Sequence, residues 1–171
     1  MWWSVADGRR GRRWRETVVD GAGLRHALLL ETAPDGAFSH LELATPAGLL
    51  TLHPEGDGTL HGNSVETGGI RHVVGFAWEP DGVVDIEGSP VAGASCAHLL
   101  AAKVEPGDST RRTILRVTAA LLLTTGPGTI ERLDGEAWRI AGGAPVRADA
   151  DGLPVLADRA SWPLERDDPA G

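Results

Sequence analysis

Residues 70–100 read IRHVVGFAWEPDGVVDIEGSPVAGASCAHLL, and this stretch decides the fold class. Ile70, His72, Val74, Phe76 and Trp78 alternate with Arg71, Val73, Gly75 and Ala77. Side chains of a strand point alternately to its two faces, so the first set forms an apolar face and the second a face of mostly small residues. Glu79-Pro80-Asp81-Gly82 is turn chemistry, because proline presets φ and glycine accepts the left-handed region. Val83 to Glu87 then returns as a strand. A three-residue loop over 80–82 pairs Trp78 with Val84 and Phe76 with Ile86, which keeps the apolar faces together. That register sets Asp85 beside Ala77. Ser89 is a good N-cap and Pro90 suits the first helical position, so a short helix is expected to follow. Gly93 weakens it, and the part from Cys96 to Val104 reads equally as a further strand.

Working outward, the same punctuation recurs. Asp20-Gly21, Asp35-Gly36, Gly56-Asp57-Gly58, Gly68-Gly69, Gly126-Pro127-Gly128, Asp134-Gly135, Gly142-Gly143 and Asp151-Gly152 separate short segments. Short strands between regularly spaced turns predict an antiparallel sandwich, barrel or roll. The clearest strand is Arg111 to Thr124, with Leu115, Val117, Ala119, Leu121 and Leu123 on one face. Trp138 and Ile140 share a face after Gly135. Nothing divides the chain, so 171 residues are read as one domain, 1–171, large enough for a sizeable core. The tail 165–171 is polar and expected to fray.

Residues 1–16, MWWSVADGRRGRRWRE, are read as either an Arg/Trp-rich arm for an anionic surface or a first strand with Trp14 buried. Residues 1–15 carry net +4, which leaves −12 for the rest of a chain whose total is −8. An acidic body argues against nucleic acid as a partner. A single cysteine, Cys96, excludes an intrachain disulfide. No signal peptide or membrane-spanning run is visible, so a cytoplasmic location is expected.

The chemistry-bearing candidates are sparse. Gly93-Ala94-Ser95-Cys96-Ala97 is an incomplete nucleophile elbow. Cys96 and His98 diverge in either a strand or a helix. His53 and His61 flank a hairpin and would need Glu66 or His72 to complete a zinc site. Asp149 and Asp151 fit a tight turn better than a calcium loop. No catalytic pair emerges, which counts against an enzyme, and no metal or cofactor is expected; the residues alone stop short of an activity.

Several motifs carry a family resemblance. They are Val84-Asp85-Ile86 at a strand end, then Ser89-Pro90 and a run of small residues to Leu99. A second set is Asp149 to Val155, closing at Trp162-Pro163-Leu164, and weaker similarity covers Leu50 to Gly82. In these the chain resembles a glycolipid-binding family of bacterial proteins. It departs where members carry a proline and two arginines, here Cys96-Ala97-His98, and where they carry glutamine and tyrosine, here Thr129-Ile130-Glu131-Arg132.

The resemblance implies a highly curved antiparallel sheet, a spiral β-roll or barrel-like form wrapped around a single short helix. Its shape is similar to that of lipoprotein carriers of the bacterial envelope. It further implies non-catalytic binding of a lipid or glycolipid in the concave interior, where each buried methylene contributes about 0.8 kcal/mol. Phe76, Trp78, Leu99, Leu121, Trp138 and Trp162 are then the candidate lining residues. His98, Arg111 and Arg112 are candidates to meet a polar head. Asp85, Ser89 and Pro90 fix the strand-to-helix corner. Two alternatives stay open: an enzyme with a cavity site near Asp85 and His98, and an interaction module with a packed interior.

Overall fold

The computed structural model describes residues 1–155. Among these residues the chain is mainly β, as the turn spacing predicts, with one helix. The first seven strands form a meander in which each pairs antiparallel with the next. They are β1 (Trp2–Gly8), β2 (Gly11–Asp20), β3 (Gly23–Thr32), β4 (Phe38–Thr45), β5 (Gly48–Pro54), β6 (Thr59–Glu66) and β7 (Gly69–Ala77). A second, strongly curled sheet follows the order β12-β11-β10-β9-β8. Its strands are β8 (Val83–Ile86), β9 (Ser109–Val117), β10 (Leu123–Arg132), β11 (Ala137–Ile140) and β12 (Val146–Arg147). Helix α1 (Pro90–Leu100) links β8 to β9.

Glu79–Gly82 forms the expected turn, with Gly82 N–H donating to the Glu79 carbonyl at 2.9 Å. The expected hairpin does not form. Ala77 pairs with Thr59 in the first sheet, whereas Val83 to Ile86 pair in parallel with Ile114 to Val117 in the second. Asp85 therefore opposes Arg116 and not Ala77. Parallel neighbours need a long crossover, and α1 supplies it. Val83, Val84 and Ile86 are all buried, the pattern of a strand covered on both faces.

The faces of β7 also differ from strict alternation. Val73 opposes Gly62 and Phe76 opposes Leu60, so Val74 and Gly75 stand against His61 alone. Gly75 has φ +78°, and this bulge returns Phe76 to the side of Val73. Val73 is buried, while Ile70 and Val74 are exposed. The long strand expected over Arg111–Thr124 is in fact a hairpin. β9 ends at Val117, Thr118 N–H donates to the Leu122 carbonyl at 3.1 Å, and Leu121 takes φ +57°. A left-handed leucine costs about 1 kcal/mol or more, and complete burial of its side chain offsets that. No glycine or proline marks this turn. Conversely, Gly126-Pro127-Gly128 lies inside β10. Pro127 faces Thr113 of β9, and β11 pairs only with Ile130 to Arg132, so proline sits where one side of β10 has no neighbour.

The first sixteen residues are not a free arm. They enter two paired strands, with Trp3 opposite Glu16 and Trp14 opposite Leu30. Trp14 is fully buried and Trp2 is exposed. The tail 165–171 and Trp162-Pro163-Leu164 lie outside the described residues.

α1 is enclosed almost all round. Val91 to Ala97, Leu99 and Leu100 are buried, and the helix packs on β8, β12, β2 and β11. A helix apolar on every side belongs inside a core. The core is one continuous cluster across both sheets, including Trp14, Leu41, Leu50, Leu100, Leu115, Ile130 and Trp138. A void of about 10 Å³ remains between α1 and residues such as Leu30, Phe38 and Val84. That is about one water's worth of space. The concave interior is filled by the helix.

β5 and β6 meet closely at Gly62, where an added Cβ would lie 1.8 Å from the Thr51 carbonyl oxygen. Gly62→Ala is expected to lower the unfolding free energy by about 1–3 kcal/mol, as overpacking does. Gly21→Ala, with nothing within 4 Å of the new methyl, should stay within about 0.5 kcal/mol. Urea denaturation of both variants checks the pair, and equal midpoints would contradict the register at Gly62.

Candidate functional site

The polar centre of the molecule is the start of α1. Ser89 has extended backbone angles, and its Oγ accepts from the Ala92 N–H at 3.0 Å, so it is the expected N-cap. Its hydroxyl also donates to Oε2 of Glu16. His26 Nε2 reaches the same oxygen at 3.1 Å. Alternation along β2 puts Glu16 on the face of Trp14, and alternation along β3 puts His26 on the face of Leu28 and Leu30. The bulge opposite Val18 and Val19 takes up Arg25 as the additional residue. Arg25 then turns outward to pair with Asp20 at 3.2 Å.

Glu16 is 2% exposed, and its Oε1 has no hydrogen-bond partner among the described residues. A buried acceptor left unpaired costs about 1–3 kcal/mol, more when charged. Carboxylate charge at a helix N-terminus is favourable, which offsets part of that cost. Sequence reasoning missed this pair. The signal was available in period-two spacing: a glutamate two residues after a buried tryptophan, and a histidine two residues before Leu28.

Two open clefts flank the corner. One, of about 650 Å³, lies between Asp85, Ser89, Pro90 and Gly93 on one side and the segment 140–146 on the other. Arg116 Nε donates to Asp85 Oδ2 at 2.9 Å on its wall. The other, of about 310 Å³, is bordered by His26, Thr45 and Leu43. Ile86, Glu87, Gly88 and Thr118 border both.

Asp85, Ser89 and Pro90 thus occupy the corner expected of them and border the larger cleft. Among the described residues, the other sequence candidates border neither cleft. Trp78 is buried edge-on to Phe38, with ring centroids 5.4 Å apart, and Phe76 packs on the core. Leu99 lies under Gly36. Leu121 is buried in the β9–β10 turn. Trp138 is buried beneath the guanidinium of Arg132, 5.1 Å from the ring centroid. Arg111 is exposed, and Arg112 pairs with Asp81 at 3.0 Å. Trp162 lies outside the described residues.

His98 packs edge-on to Trp14 at 5.8 Å, with Arg12 NH1 3.4 Å from its Nδ1. Burial, and then the Arg12 guanidinium, hold its pKa below the ordinary value, with Asp7 opposing. Asp85 and His98 border no common cleft, and Asp85 is already paired with Arg116.

The remaining motifs resolve into structure. Ser95 donates to the Ala92 carbonyl at 2.8 Å inside α1, so the elbow-like motif is helical. Burial pushes the Cys96 thiol up, with Asp85 adding to the shift, and a protonated thiol is a poor nucleophile. His53 faces His61 directly, but His53 bonds Glu55, His72 bonds Asn63, and Glu66 bonds Ser64 and Arg71. No group of three metal-ligating residues forms among the described residues. Asp149 Oδ1 accepts from the Asp151 and Leu153 N–H groups, which is a tight turn. Among the described residues no helix is long and apolar enough to cross a membrane.

Ser89→Ala is expected to cost about 2 kcal/mol, about half from the lost cap and half from the stranded carboxylate. Combined with Glu16→Gln it should show a coupling of about 0.5–3 kcal/mol in a double-mutant cycle by urea denaturation. Strict additivity would mean that the two side chains act separately. The His98 shift predicts a pH effect. Its folded pKa lies below the unfolded value of about 6.5, so the unfolded chain binds more protons in that window. Its contribution to stability is complete above the unfolded value and is lost as pH falls through the folded one. In an NMR titration Arg12→Ala should move the His98 midpoint upward.

No family model matches the chain, and no curated protein matches it. Among solved structures it is similar to a DUF1089 family protein from Pseudomonas aeruginosa. The two are 17% identical with a TM-score of 0.62, over 95% of this chain and 91% of that one. At that identity the likeness shows a shared curled β fold.

Proposed function

We propose that the protein binds an amphiphile without converting it, and that a glycolipid is the class of ligand. The observation that carries this reading is the cleft of about 650 Å³ beside the N-terminus of α1. Its size suits a small-molecule ligand. Ile140, Ala141, Ala144, Pro145 and Val146 supply an apolar wall, and the Asp85–Arg116 pair a polar one. An apolar wall facing a polar wall suits a ligand with a tail and a head. The filled interior moves the tail from the concave core to this open edge. The engaged state of Asp85, and the protonated and buried Cys96, support binding over catalysis. The motif resemblance, which includes Asp85, Ser89 and Pro90, supports the glycolipid class.

Organic extraction of the purified protein followed by mass spectrometry is expected to recover a lipid. Ala144→Trp places a bulky side chain at an exposed position on the cleft wall. It should leave the melting temperature unchanged and weaken binding of a fluorescent alkyl glycoside at least about tenfold, roughly the loss of two buried methylenes. An empty extract together with unchanged probe binding by Ala144→Trp would overturn the reading.

A further inference from the structure

The smaller cleft holds a polar group that the reading above does not use. His26 is 7% exposed and borders a cleft of about 310 Å³. Its Nε2 bonds Glu16, and its Nδ1 has no hydrogen-bond partner among the described residues. A carboxylate only accepts, so Nε2 is the donor. In the neutral ring Nδ1 then carries the lone pair. Ser89 holds Glu16 in turn, so three elements of the fold fix which atom His26 presents.

The neighbouring groups narrow the ligand. Thr45 Oγ1 accepts from the Ala47 N–H at 3.1 Å, and Thr118 Oγ1 accepts from the Leu122 N–H at 3.3 Å. Each hydroxyl proton remains available to a ligand. Asp20 and Glu87 outweigh Arg25 in charge, which disfavours an anion. An ammonium group has no acceptor for the threonine protons. Vicinal hydroxyls both donate and accept, and they match this interleaving of His26, Thr45 and Thr118.

We infer that the smaller cleft is a subsite for a neutral, hydroxyl-bearing group, with His26 Nδ1 accepting a hydrogen bond from a ligand hydroxyl. This rests on the amphiphile reading only for the alkyl chain, which would reach the larger cleft across the shared wall at Glu87 and Gly88. The same chemistry belongs to a glycolipid head and to a free sugar.

The test uses protein labelled with ¹⁵N at histidine and three probes: methyl β-glucoside, octyl β-glucoside below its micelle concentration, and octyl phosphate. Both glucosides are expected to shift the His26 Nδ1 resonance, and octyl glucoside should bind more tightly. Octyl phosphate should leave Nδ1 unmoved. Thr118→Val should weaken octyl glucoside about fivefold, the loss of one hydrogen bond. Octyl glucoside binding with His26 unmoved overturns this subsite and leaves the amphiphile reading intact. Equal affinity for methyl and octyl glucosides, with His26 shifted, supports the subsite and sinks the alkyl cleft. A larger Nδ1 shift with octyl phosphate than with either glucoside also overturns the inference.

Discussion

Oε2 of Glu16 accepts hydrogen bonds from two places at once: the hydroxyl that caps α1, and the imidazole of His26 in the neighbouring strand. Because Glu16 lies on β2, this one oxygen ties the first sheet to the helix. The helix in turn makes the only kind of connection that lets β8 and β9 run parallel. Removing either donor would leave the buried carboxylate with one hydrogen bond to Oε2 in place of two, and under-compensated buried charge is costly. The pair therefore constrains geometry more than it adds stability. It fixes the start of α1, the corner at Glu87 and Gly88, and the two clefts that open on either side of that corner.

The rest of the core is organised round the consequence. Once α1 lies inside, the sheets close on it, and little empty volume is left. The two clefts at the corner therefore open at the edge of the molecule, beside the capped end of the helix, and not in the concave interior. At the opposite end, Arg132 donates to the carbonyls of Ala101 and Val104 while covering Trp138. That end is closed by a side chain, whereas the capped end is bordered by short loops and small residues.

The candidate site was only half legible in the sequence. Ser89 and Pro90 announced the helix start, and Asp85 was placed at the corner beside them. Glu16 and His26 stayed hidden because each, in its own strand, looks like one more polar residue between turns. Their meeting depends on the pairing of β2 with β3 and on a bulge at Arg25. The aromatic candidates followed composition: Trp78 and Trp138 are large and apolar, and both are core residues. Nothing local distinguishes a tryptophan that lines a pocket from one that fills the space.

What the sequence by itself determined was local: a mainly β chain punctuated by turns, and a helix start at Ser89 and Pro90. These follow from side-chain alternation, proline and glycine geometry, and capping, all of which act over a few residues. What only the tertiary structure decided was which strands meet. The Glu79–Gly82 turn is the same in a hairpin or at a crossing between sheets, so its chemistry cannot choose. Leu121 reverses the chain with no turn residue, because burial of its side chain offsets the left-handed backbone. Gly75 shifts Phe76 inward by a bulge that needs β6 as a template. In each case the deciding energy comes from contacts between residues far apart in the chain, and that energy placed Glu16, His26 and Ser89 within one hydrogen-bonded group.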